Sequence, residues 1–131
     1  MEVTQEAVNR ASKKQSFIPG LVDMKINVAR LTLKLRQNEE ALELFQETEK
    51  YQRELVRSFP LDPYKKCELA ENLYYQALIL HEDDKKAAIK ASREAYELVA
   101  PLAKASPEIV QFTWTRDQYL KLLNRLEGKK E

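Results

Sequence analysis

Ala41, Phe45, Thr48 and Tyr51 follow one another at spacings of four, three and three, which stacks them on one face of a helix. Asn38 reads as the N-cap of that helix, and Glu39 and Glu40 suit the positive end of its dipole. The same frame recurs thirty-four residues upstream, at Ala7, Ala11, Lys14 and Phe17, and forty-seven downstream, at Ala88, Ser92, Ala95 and Leu98. A recurring helical face of this kind describes how a chain is built before it describes what the chain does.

The rest of the pattern divides into helices on either side of that one. Thr4 can cap a short helix over residues 4–16, which Phe17-Ile18-Pro19-Gly20 ends, because proline disfavours helical geometry in the residue before it. Residues 21–35 carry Val22, Ile26, Ala29 and Leu33 on one face, with Val28, Leu31 and Leu35 widening it, so this helix is expected between two neighbours. Gln37-Asn38 is a short connection and demands antiparallel packing. Asp62-Pro63 starts the next helix with a capping carboxylate and a first-turn proline, and Glu82-Asp83-Asp84 ends it and caps another. Pro101 should kink that fourth helix or end it early. Ser106-Pro107-Glu108 repeats the cap-plus-proline start for a last helix, carrying Phe112, Tyr119, Leu120, Leu123 and Leu126 and stopped by Gly128. The pattern predicts an all-α fold of about six helices.

Composition agrees. Only two glycines occur in 131 residues, too few for a chain of strands and tight turns or for a phosphate-cradling loop, while good helix formers dominate. The formal charge of +1 supplies no bulk attraction for nucleic acid or an anionic membrane. A lone Cys67 leaves no intramolecular disulfide and fits a reducing compartment. With neither a signal-peptide design nor a long apolar run at hand, a cytoplasmic location is expected, with the nucleus as the other option.

Helix pairs with alanine at the point of closest approach resemble tetratricopeptide (TPR) repeats. Val28-Ala29 stand where that family has Leu-Gly, Thr32 where it has tyrosine, and Ala41, Phe45 and Thr48 match its second helix. In the next pair Tyr75-Gln76 and Ile79 occupy the first-helix places, then Ala88, Ser92 and Ala95. The resemblance implies a half repeat over residues 4–18, full repeats over 21–58 and 62–104, and a half repeat or capping helix over 106–127. It also implies a right-handed superhelix of antiparallel pairs in a single domain, acting as an adaptor or scaffold.

No catalytic constellation is visible. His81 lies among Glu82, Asp83 and Asp84 without zinc-like spacing and reads as a helix C-terminal residue; Cys67 has no evident base and reads as packing. An enzyme, a cofactor and a metal are therefore not expected. TPR arrays bind through the concave surface lined by first helices, so the resemblance points to the polar stripes of those helices. These are Asp23, Asn27, Arg30 and Lys34; then Ala70, Tyr74, Ala77 and His81; then Trp114, Gln118, Lys121 and Arg125. Arg30, Lys34, Lys121 and Arg125 are basic, Tyr74 and Trp114 are hot-spot residue types, and residues 39–57 outside the groove carry six acids against three bases. An acidic peptide or partner helix is the expected ligand; the simpler alternative is that Arg30 and Lys34 pair with neighbouring glutamates. The family's chaperone-carboxylate clamp is disfavoured, since Asn27 fits it while Ile26 and Leu73 stand where polar residues belong. Nucleic acid is a poor fit because the bases are interleaved with acids. The alternative function is assembly, in which the chain self-associates or docks in a larger complex through its ends.

Overall fold

The computed structural model describes residues 20–129. Five helices follow one another, with no strand among the described residues: α1 (20–34), α2 (Asn38–Ser58), α3 (Pro63–Leu80), α4 (Lys85–Ala105) and α5 (Val110–Glu127). The fold is all-α. The expected half repeat over residues 4–18 lies outside the described residues.

The helix boundaries have local causes. Asp62 accepts a hydrogen bond from the Tyr64 amide at 2.9 Å, with Pro63 at the first position of α3, and Asp84 accepts from the Ala87 amide at 3.1 Å at the start of α4. Gly128, with φ of 74°, closes α5 as its left-handed cap while the Lys129 amide donates back to the Asn124 carbonyl at 2.7 Å.

Two boundaries differ from the expectation, while α4 ends within a residue of the expected position 104. Asn38 is not the cap of α2; Gln37 takes that place without a side-chain hydrogen bond, because Arg36 adopts φ of 62° and folds the end of α1 straight into α2. Ser106 does not start the last helix. It caps the end of α4, donating its amide to the Leu102 carbonyl at 2.9 Å, and α5 begins only at Val110. Pro101 neither ends α4 nor shortens it, since the helix continues to Ala105. The proline sits on the exposed side, and burial of Val99 and Ala103 on the other side holds the helix through the lost ladder bond. Pro101→Ala restores that bond and is expected to raise unfolding stability by about 2 kcal/mol, measured by urea denaturation.

Short loops make consecutive helices antiparallel. Val22 near the start of α1 clusters with Leu55 near the end of α2, while Ala29 clusters with Ala41 and Phe45. α3 then packs between α2 and α4, and α4 between α3 and α5. Ala41 and Ala88, the two expected points of close approach, are both fully buried. Contacts between alternate helices sort the chain into two rows. On one side Arg30 of α1 reaches Glu71 of α3, and Tyr74 of α3 stacks on Tyr119 of α5 with ring centroids 4.8 Å apart. On the other, Arg53 of α2 grips Glu94 of α4 with two bonds of 2.7 and 2.9 Å.

Between the rows runs a buried ladder of amides. Gln52 donates to the Glu68 carbonyl at 3.2 Å; Asn72 donates to the Phe45 carbonyl and to Gln52 Oε1, each at 2.8 Å. Gln76 donates to Asn72 Oδ1 at 2.7 Å and to Glu49 at 2.9 Å, and Glu49 accepts from Arg53. An uncompensated polar group at this depth would be costly, and here each has a partner supplied by the facing helix.

On the outer side of α1, where the half repeat over residues 4–18 is expected, no helix among the described residues packs. Met24, Val28, Leu31 and Leu35 recur there at spacings of four, three and four, and each is about half exposed or more, from 47% to 62%. They lie away from the face that meets α2 and α3.

Candidate functional site

α1, α3 and α5 are parallel to one another, each being antiparallel to the helix between, so their side chains meet in one groove. Two hollows share the Arg30–Glu71 pair. The first, of about 340 Å³, is bounded by Asp23, Asn27 and Arg30 of α1, Glu68 and Glu71 of α3, and Gln52 of α2. The second, of about 180 Å³, has Arg30, Glu71, Tyr74 and Tyr75 on one side and Trp114, Gln118 and Tyr119 of α5 on the other.

Aromatic rings give the second hollow its walls. Tyr75 stacks on Phe45 with centroids 5.4 Å apart, which fixes it from behind, and meets Tyr74 edge-on at 5.9 Å. Tyr119 is buried, and burial raises the pKa of its hydroxyl above the ordinary value, so the ring stays neutral. Trp114 is the exception, a large ring 59% exposed at the rim.

Charge in the groove is mostly negative. Arg30 faces Glu71 with Nη1–Oε1 of 3.8 Å, and its guanidinium lies 5.9 Å from the centroid of Tyr75. Glu68 and Asp23 line the adjoining hollow, so the two hollows together carry three carboxylates and one guanidinium in their lining. The carboxyl of Glu68 is held above its ordinary 4.5, first by burial and then by Asp23, Asp62 and Glu71, with Lys65 opposing. The sign of the consequence follows from proton counting. Above pH 4.5 the folded chain retains a proton that the unfolded chain has released, so this group's contribution to stability falls as pH rises through that window. Glu68→Gln is therefore expected to raise the melting temperature at pH 7 and to change it little below about pH 4, where Glu is neutral in both states. A pH series of thermal melts checks it.

The sequence-selected residues are only partly brought together. Asn27 and Arg30 line the first hollow; Arg30, Tyr74, Trp114 and Gln118 line the second. Lys121 joins Trp114 and Gln118 in a shallower hollow of about 320 Å³ on the outside of α5. Lys34 and Arg125 are exposed and line none of these three. His81 is also outside them. It caps α3, donating Nδ1–H to the Leu78 carbonyl at 2.7 Å, with Glu82 3.6 Å from Nε2. The α3 stripe requires correction: Ala70 and Ala77 are fully buried in the core. The groove side of α3 is Glu68, Glu71, Tyr74 and Tyr75 instead. Helical spacing of Glu68, Glu71 and Tyr75 carried that signal, but the frame anchored on alanine selected the packing face.

Another hollow, of about 650 Å³, runs along Lys86, Lys90, Arg93 and Glu97 of α4. It belongs to one helix and has no opposing wall among the described residues. Cys67 is buried, and its thiol is pushed up to about 11, chiefly by burial, so it carries little thiolate at neutral pH. No cluster of His, Cys, Asp and Glu among the described residues could hold a metal ion, and no helix there is long and apolar enough to cross a membrane. No protein-family profile, curated protein or solved structure matches the chain.

Proposed function

We propose that the chain is a non-enzymatic protein-interaction module of TPR-like design, a right-handed superhelix of helix pairs that takes a peptide or partner helix in the groove of α1, α3 and α5. The observation that carries this reading is the groove itself, where side chains from three alternate helices converge and one rim is an exposed tryptophan. Exposed aromatic side chains beside a cleft have the character of binding hot spots. The buried alanines at positions 41 and 88 support the repeat design. Its setting would be the cytoplasm or nucleus, on the ground of the lone cysteine. Trp114→Ala is expected to abolish capture of partners by the full chain while moving stability by no more than about 0.5 kcal/mol, because the ring is mostly in solvent. Affinity capture and a melt on the same sample decide it; unchanged capture refutes the reading.

The second reading is assembly. The apolar stripe of Met24, Val28, Leu31 and Leu35 favours it, since a contiguous exposed row on one helix suits docking against another surface. Light scattering over a concentration series tests self-association through that row, and a monomer at every concentration counts against it.

A further inference from the structure

Building on the groove reading above, we infer that the segment it takes is basic: a lysine or arginine side chain of the partner enters at the join of the two hollows, its charge against Glu71 and its stem against Trp114. The expectation of an acidic ligand rested on the basic residues of α1 and α5. Only Arg30 among them reaches the two hollows, whose lining also holds Asp23, Glu68 and Glu71.

Arg30 itself shows what the site accommodates. Its guanidinium lies between Glu71 and the ring of Tyr75, where a carboxylate and an aromatic quadrupole both favour a cation. The pair is long at 3.8 Å, and both side chains are nearly half exposed, so it is a weak contact that a competing cation can replace. On the far side of Glu71 from Arg30, the same hollow is walled by Tyr74, Gln118 and Trp114, two rings and one amide. The methylene stem of lysine or arginine suits such rings while its head stays polar. Asp23 and Glu68 extend the negative lining into the first hollow, so a second basic residue of the same segment would find a complementary surface. An acidic segment would instead have to approach Asp23, Glu68 and Glu71 with one guanidinium in its favour.

The sign of one substitution separates the two. Arg30 is a competitor if the ligand is basic and the principal contact if it is acidic. The test uses the full chain and three synthetic peptides alike except that arginine, glutamate or glutamine fills the charged positions. Binding is read by calorimetry and by the emission of Trp114, the chain's one tryptophan. The arginine peptide should bind most tightly, weaken with added salt, and lose about tenfold or more with Glu71→Gln. Arg30→Gln should strengthen it by up to about fivefold, the gain from releasing an exposed ion pair. Preference for the glutamate peptide, failure of all three, or weakening of the arginine peptide by Arg30→Gln would each overturn the inference. If that happens while Trp114→Ala still abolishes partner capture, the groove reading stands and only the chemistry assigned to its ligand falls.

Discussion

Asn72→Ala is expected to cost about 3 kcal/mol or more of unfolding free energy, one of the two largest single-residue losses in the domain. Asn72 is fully buried and is the central rung of the amide ladder, bonded to the Phe45 carbonyl, to Gln52 and to Gln76. Removing it leaves the oxygen of Gln52 without its donor in the interior, takes from the Phe45 carbonyl the bond it accepts beside its helical one, and leaves Gln76 only Glu49. The penalty for an unmade buried hydrogen bond exceeds the modest gain from making one, which is why the loss should exceed that of a truncated apolar side chain of similar size. Urea denaturation measures it. A double-mutant cycle with Gln52→Ala should show strong non-additivity, because the first substitution has already broken the second residue's bond.

Ala41→Trp is expected to be as damaging for the opposite reason. The methyl of Ala41 is fully buried with Ala29 and Phe45 where α1 and α2 come together, and Leu33 and Ile26 close the same cluster. An indole there forces the two helices apart and should remove at least about 3 kcal/mol, enough to unfold a marginal domain. Glu43→Trp, on the exposed side of the same helix, is the control and should be nearly neutral. Circular dichroism on both variants separates overpacking from a general intolerance of tryptophan in α2. A folded Ala41→Trp variant would mean that α1 and α2 meet elsewhere.

Much of the fold was legible because it is written at short range. Spacings of three and four located α2 to α5, and the carboxylates of Asp62 and Asp84 marked two helix starts through bonds to amides two and three residues away. Errors arose where a local signal competed with a tertiary one. Pro101 carries the usual mark of a helix end, yet packing of Val99 and Ala103 outweighs it. Ser106 and Asn38 are good capping types at places where the preceding helix had already claimed the turn.

The groove was less legible than the core. Periodicity shows that residues share a face without saying which neighbour the face meets, and on α3 the difference between Ala70 and Glu71 is one step around the helix. Arg30 and Glu71 are far apart in sequence, so their pairing, and with it the sign of the groove, depends on how α1 lies beside α3. The amide ladder was missed for a related reason: Gln52, Asn72 and Gln76 are polar residues, and only the facing helix makes their burial tolerable.

The account depends above all on α1, α3 and α5 lying side by side as one surface. Proton–proton Overhauser contacts in the full chain test this most directly. Cross-peaks between the rings of Tyr74 and Tyr119, and between the Arg30 side chain and the ring of Tyr75, are the expected result. Cross-peaks from Ile26 or Leu33 of α1 to Ala95 or Val99 of α4 would contradict it, since they would place the helices around one closed centre with no groove between them.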